Sequence, residues 1–451
     1  MEIIGYWNLP NDEEIAGVLK YKENEIILEV MGSFLDDPLE VKNREIIQGI
    51  TKEGKEITLI NCVLIKSSMS SNGICSEWYR VRYVIIGEKY DNIDEIKIKN
   101  IHSDYDYLNN WIDISNSLYK TDRKTGEINF FTSLPKKINH EIDDYSVNVG
   151  FKMNLKANLL SEFTYRQSAF IEFNFNKEID FWQSIEKIKK FSDFMTICIG
   201  KTVGYGEIEL KDINNKKIKV IDNNNKQKEL ASYDFKIRPC LLMFSDIKDR
   251  FSEIYGKWIN EEEKLSPIIN KLVSVREGER FDPQVEFMDV ITAVETFSRR
   301  YRKNCKEDEE LHKKRIKIIL ESVQDEDYKK WLDGKLKYSN EPNLRTRINS
   351  LLEEMNYLVE IKGSIKKNLV NKIVETRNYY THFSEDKKEN ILSNYEAYYI
   401  YLYLEICLRL LILKEIGVSI IQDISSKHDC EDFYFINNFK KYLNKNLSCY
   451  F

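Results

Sequence analysis

KKNLVNKIVETRNYYTHFSEDKKEN, residues 366–390, holds the pattern on which the fold reading turns. On a helix at 100° per residue, Leu369, Val370, Ile373 and Val374 fall within an arc of about 140°, and Arg377 lies near its middle. The apolar face thus runs on into a guanidinium. Asn378, Thr381 and His382 follow and drift toward one edge, with His382 roughly 80° past it. An uncompensated buried guanidinium is very costly, so Arg377 requires a carboxylate, a phosphate or a wet cleft. Glu295 and Glu405 are candidate acids for a structural pair, and His382 reads equally as a helix-end histidine favoured by the dipole.

Working outward, the chain from about residue 245 has long helical periods and almost no strand signal. The spacing predicts helices over 244–260, 261–273, 283–303, 309–323, 342–360, 364–382, 393–417 and 433–444. Pro283 and Pro342 at first turns and Gly417 at an end serve as start and stop signals. Before residue 180 the pattern is mostly short and period-two, as in KEITLINCVLIK, EWYRVRYVIIG and SAFIEFNFN, which reads as strands. A hairpin is expected about Lys22–Glu25. One helix interrupts, FWQSIEKIKKFSDFMTICIG from residue 181, with Trp182, Ile185, Ile188, Phe191 and Phe194 as its apolar stripe. The expected class is α+β: a β-rich domain over 1–244 and an all-α bundle over 245–451.

The 451 residues, 42% hydrophobic and 31% charged, suffice for two or three packed domains. A net charge of −6 provides no global field for nucleic acid, so a polyanion would have to be gripped locally. Eight cysteines without a CxxC pair, and an N-terminus lacking a basic segment and apolar run, imply free thiols and a cytoplasmic protein. Residues 397–421 are the most membrane-like, but Glu405, Arg409, Lys414 and Glu415 interrupt them, which predicts a buried helix and no membrane partner.

Several motifs fail. IGKTVG, residues 199–204, is half of a phosphate-binding loop, but Met195 stands where the first glycine is needed. His102 with Asp104 and Asp106, and His428 with Asp429 and Cys430, have ligand types, yet loop clusters of this kind are far more often solvated surface. No metal and no cofactor is expected.

R-N-Y-Y-T-H, Arg377 to His382, resembles the R-x4-6-H motif of HEPN ribonucleases. FMDVITAVETFSRRY (287–301) and EPNLRTRINSLLEEM (341–355) resemble the Apea-like branch of that superfamily. GYWNLP, GVLKY and ILEVMGSF near the N-terminus resemble the domain that precedes it in ApeA-type anti-phage proteins. The resemblance covers nearly the whole chain. It implies a homodimeric endoribonuclease of phage defence by abortive infection, cutting RNA, with tRNA and its anticodon loop as the expected target. The β-rich domain would sense a phage-encoded trigger or restrain the nuclease. Arg377, His382 and Asn378 are implied as catalytic, with Glu295 and Thr381 supporting. Ser384 occupies the position where partnered HEPN toxins have tyrosine, which disfavours regulation by AMPylation.

The residue types suit the chemistry independently of any family. RNA is cut without metal when its 2′-OH attacks the adjacent phosphorus, giving a 2′,3′-cyclic phosphate and a 5′-OH; this needs a proton acceptor, a proton donor and positive charge on the phosphorane. Histidine titrates near neutrality and arginine forks onto two phosphate oxygens. Two rival readings are a non-catalytic HEPN RNA-binding or dimerisation module and an intracellular ligand sensor.

Overall fold

The structure, a computed structural model, describes residues 2–22, 25–34, 43–69, 75–158, 161–223, 225, 240–277, 282–383, 390–419 and 430–446. By contacts the chain forms two compact units, Met1–Met195 with Val203–Ile237 and Lys248–Gly256, and Thr196–Thr202 with Arg238–Ile247 and Lys257–Phe451. The first is β-rich and the second helical, the α+β class expected from the change in periodicity.

The first unit begins with β1 (Glu2–Asn8), β2 (Ile15–Lys22), β3 (Glu25–Val30), β4 (Arg44–Thr51), β5 (Glu56–Met69) and β6 (Cys75–Ile86). Every pairing among them is antiparallel, and the order β6-β3-β2-β1-β4-β5 returns to β6, closing a six-stranded barrel. Lys22 opposes Glu25, as the expected hairpin requires; residues 23–24 of its turn lie outside the described residues. Alternate residues of these strands, among them Leu19, Leu28, Ile47, Leu59 and Val81, fill the interior around the fully buried Trp7. The indole needs space on the facing strand. A Cβ at Gly49 would stand 2.3 Å from Trp7 Cε3, so only glycine fits there.

β6 serves two neighbours on one edge. Glu77–Arg80 pair with β3, and Tyr83–Ile86 pair with β14 (Lys217–Asp222). From β14 the sheet runs on through β13 (Tyr205–Lys211), β7 (Lys97–Tyr105), β12 (Glu162–Asp180), β11 (Tyr145–Asn158) and β10 (Ile138–Ile142). A separate exposed hairpin joins β8 (Leu118–Thr121) to β9 (Ile128–Phe131), after the short α1 (Leu108–Ile112).

α2 (Phe181–Ile199) packs Phe191 against Phe173 of β12, Tyr105 of β7 and Trp111 of α1. Its stripe differs from the sequence reading at one end. Phe181 is buried and Trp182 is 41% exposed, because the helix starts at Phe181 and its first buried position falls there.

Helices follow as α3 (Phe244–Ile247), α4 (Phe251–Asn260), α5 (Glu262–Glu277), α6 (Pro283–Tyr301), α7 (Glu309–Glu321), α8 (Glu326–Leu336), α9 (Leu344–Glu354), α10 (Gly363–His382), α11 (Asn394–Glu415) and α12 (Glu431–Asn446). α6 packs against α5 and α11 and also touches α9 and α10. Asp282 caps α6 ahead of Pro283, and Ser393 with Glu396 forms a capping box at α11. Three sequence expectations are corrected. The helix expected over 244–260 is broken by a 3-10 turn at Lys248–Arg250, Pro342 precedes α9 and Asn343 caps it, and α8 had no counterpart. Residues 397–413 of α11 are almost all buried, and among the described residues no helix is long and apolar enough to cross a membrane.

Gly49→Ala is expected to destabilise the β-rich unit by about 1–3 kcal/mol through overpacking against Trp7. Urea unfolding followed by circular dichroism measures this, and Trp7→Leu should recover part of the loss.

Candidate active site

α10 is built on the stripe read from sequence. Leu369, Val370 and Ile373 are buried, and Thr376 is buried beside them. The Thr376 hydroxyl donates to the Lys372 carbonyl at 2.7 Å and accepts the Leu392 N–H at 2.8 Å, tying the start of the next helix back to α10. The segment from Ser384 to Glu389 lies outside the described residues, and with it the Ser384 reading.

Arg377 finds its carboxylate on α6. Its Nε donates to Glu295 Oε1 at 3.1 Å and its Nη2 to Oε2 at 3.4 Å, a two-pronged fork, while Nη1 donates to Asn378 Oδ1 at 3.4 Å. The other sequence candidate, Glu405, serves a different arginine. The Arg377 side chain is 30% exposed and Glu295 16%, so the pair opens on one side to solvent. A guanidinium has five N–H groups and three are engaged here, which leaves donors for an oxyanion.

The remaining candidates sit at the exposed end of the helix. Thr381 spends its hydroxyl on the Arg377 carbonyl at 2.7 Å, a backbone role. His382 is the last residue of α10 and exposed, and no hydrogen bond of its ring is found among the described residues. Arg377, Asn378 and Glu295 are therefore brought into contact, and His382 stands at the same helix end outside their hydrogen bonds.

Sequence reasoning missed Arg347. It lies on the apolar side of α9, almost wholly buried, and donates from Nη1 to Ser298 Oγ at 3.1 Å and from Nη2 to Asn304 Oδ1 at 2.5 Å. Burial and then the neighbouring Arg299 push its pKa below the usual arginine value, while Glu341 and Glu295 counter them. The signal was available: an arginine beside Ile348 and Leu351 on one helical stripe, the same pattern that singled out Arg377.

Elsewhere in the helical unit, Arg409 on α11 is fully buried. Its Nη1 and Nη2 donate to Asp432 at 3.0 and 3.3 Å, its Nε donates to the Ile197 carbonyl at 2.9 Å, and Glu405 lies 3.7 Å away. This explains IGKTVG without a phosphate. Gly200, at φ +79°, lets the backbone pass where a Cβ would come within 2.4 Å of Arg409 Nη1. Tyr399 and Tyr403 of α11 stack on Tyr442 and Phe439 of α12, Tyr401 is buried, Tyr398 is half-buried, and Tyr395 is exposed. A cleft of about 350 Å³ lined by Tyr398, Tyr399, Tyr434, Phe435 and Lys201 contains none of the motif residues.

His102, Asp104 and Asp106 are each engaged elsewhere. His102 stacks on Phe170, Asp104 pairs with Lys152, and Asp106 accepts the Gly204 N–H; burial pushes the His102 pKa down. His428 and Asp429 lie outside the described residues. Among the described residues no group of three His, Cys, Asp or Glu side chains is arranged for a metal, and the seven cysteines there are free.

Residues 2–258, more than half the chain, match the family described as ApeA N-terminal domain 1, and residues 288–420 match Apea-like HEPN. The second match includes Glu295, Arg347 and the whole of Arg377–His382. No curated protein and no solved structure matches.

The two arginine sites should respond differently to loss of their acid. Asp432→Ala leaves a fully buried cation with only the more distant Glu405 as counter-charge and is expected to cost about 3 kcal/mol. Glu295→Ala leaves Arg377 able to hydrate and should cost about 1 kcal/mol or less. Thermal unfolding of both variants measures the difference.

Proposed function

We propose, because the chain belongs to the ApeA-type family with an ApeA N-terminal domain followed by an Apea-like HEPN domain, that it is a metal-independent HEPN endoribonuclease of anti-phage defence. The observation that carries this reading is Arg377, held by Glu295 at the open end of α10 with spare donors, in one short stretch with Asn378 and His382.

The proposed reaction follows from these groups. Arg377 forks onto the non-bridging oxygens of the scissile phosphate, where negative charge grows in the phosphorane. Asn378 shares its amide between Arg377 and the phosphate. His382 takes the proton of the 2′-OH as that oxygen bonds to phosphorus. The bond from phosphorus to the 5′-oxygen breaks, and a second acid protonates the leaving oxygen. One chain supplies one such histidine, so His382 of a second copy across a two-fold interface is the proposed donor, making the active species a homodimer. The products are a 2′,3′-cyclic phosphate and a 5′-OH. Glu295 is assigned to positioning, since it fixes the planar orientation of the guanidinium, and Thr381 to the backbone of the last helical turn.

Residues 245–451 are assigned to the nuclease and residues 1–244 to sensing a phage-encoded trigger or restraining the nuclease until infection. Unpaired RNA is the proposed substrate class, with the tRNA anticodon loop as its specific form, because in-line attack needs a flexible nucleotide. The outcome in the cell is abortive infection, in the cytoplasm.

The test incubates the purified chain with total tRNA in EDTA, with and without lysate of phage-infected cells, beside Arg377→Ala and His382→Ala. Cutting that leaves cyclic phosphate ends and falls at least a hundredfold in both variants is expected, the scale of losing general acid–base or charge stabilisation. Undiminished cutting in the variants, or intact RNA in every condition, would instead assign the domain to binding or dimerisation.

A further inference from the structure

Phe383 directly follows His382 and is held in an unusual way. Its φ of 50° and ψ of 38° place it in the left-handed region at the end of α10, where glycine is favoured and a large side chain is strained. Burial does not compensate, because the side chain is 67% exposed. Tyr379 and Tyr380 stand edge-on to it, with ring centroids 5.9 and 6.4 Å away, and leave much of the ring open. A strained, solvent-facing phenylalanine beside the proposed reacting groups calls for an occupant.

The charge around it says which. Asn371, Glu375, Asn378 and His382 fall within about 60° of one another on α10, with Glu375 at one edge of that face. Arg345 of α9 donates to the Asn371 side chain, roughly 16 Å along the helix from His382. Arg345 is exposed, and among the described residues no carboxylate pairs with it, whereas Arg302 forks onto Glu354 and bonds Glu415. A guanidinium on Asn371, another on Asn378 and an open aromatic ring beyond them fit a flexible polyanion with planar bases better than the apolar surface of another protein.

We propose that this face of α10 is a track for unpaired RNA, in which Phe383 stacks on the base adjoining the scissile phosphate and Arg345 grips a phosphate farther along the strand. The proposal rests on the nuclease reading above and names how its substrate is recognised. Stacking needs an exposed π-face, which a paired A-form duplex does not offer, and every base has one. The track therefore selects single strands without selecting sequence.

The test uses the full chain carrying His382→Ala, so that RNA is bound and not cut, with Phe383→Gly, Phe383→Trp or Arg345→Ala added. Each is titrated by fluorescence anisotropy with a fluorescein-labelled unstructured RNA oligonucleotide, and with the same strand annealed to its complement. Phe383→Gly is expected to weaken single-strand binding roughly five- to hundredfold, the range for one base–aromatic stack, while duplex binding is unchanged and Phe383→Trp retains affinity. Phe383→Gly should at the same time raise the melting temperature, since glycine suits the left-handed position. Arg345→Ala should lower the slope of log affinity against log salt by about 0.7, one phosphate contact on a single strand.

Undiminished binding by Phe383→Gly overturns the proposal. So does a loss accompanied by a lower melting temperature, which marks a structural role, or by dissociation in sedimentation, which gives the ring to a second copy of the chain. If the unaltered chain cuts RNA while Phe383→Gly binds normally, the track fails and the nuclease stands. If the unaltered chain neither binds nor cuts RNA, both fail.

Discussion

A guanidinium on the inward face of a helix must be answered by partners. Among the described residues of the helical unit, Arg409, Arg347 and Arg377 meet that requirement with different degrees of closure. Arg409 meets Asp432, Glu405 and a carbonyl and is sealed from water. Arg302, just past the end of α6 and as exposed as Arg377, instead fills its donors, joining Glu354 of α9 to Glu415 of α11 and bonding the Tyr301 carbonyl. Arg347 is buried on neutral partners, with Glu341 3.6 Å away, and its pKa is depressed accordingly. Arg377 is met by one carboxylate and one amide and keeps a third of itself in solvent. Closed pairs hold helices in place, because removing either partner leaves a buried charge. The open pair is the one whose unfilled donors have somewhere to point.

The β-rich unit obeys a different constraint, the need to close an edge. Six strands around Trp7 form a ring because β6 pairs with β5 along its length and with β3 over its first half, which leaves its second half to meet β14. The same strand thereby finishes the barrel and begins the rest of the sheet, so the exposed edge that a free sixth strand would present is used within the unit. Trp7 in turn depends on a glycine at position 49, which ties packing at the centre of the barrel to a single residue on β4.

These constraints explain how much was legible in the sequence. Strand and helix textures, and the arginine at the end of α10, follow from local periodicity, which the chain displays openly. α8 went unread although Tyr328, Trp331, Leu332 and Leu336 recur at helical spacing in EDYKKWLDGKL, a short and mostly charged stretch none of whose residues is buried. Barrel closure escaped because it depends on which edges meet, and no local pattern encodes a register between β6 and β3. Glu295 was legible only as one of two acids, since choosing it needs the contact between α6 and α10. Glu405 looked as suitable until α12 brought Asp432 to Arg409 and drew Glu405 into a separate pair. Gly200 looked like part of a loop for phosphate and proves to be space left for Arg409.

His382 occupies the last residue of its helix, the position with least local restraint, six residues after the buried Thr376 has fixed both α10 and the returning chain at Leu392. The site thus combines a clamped cation with an unclamped imidazole. For the proposed reaction this division is the useful one. Charge stabilisation rewards a donor that is already in place and need not reorganise as the phosphorane forms. Proton transfer requires a group that reaches the attacking oxygen in a pose set by substrate and, in the homodimer, by the second copy, so its final geometry belongs to the complex. The strained Phe383 stops the helix at that point, and the helix that carries the clamp ends where the histidine has to reach out.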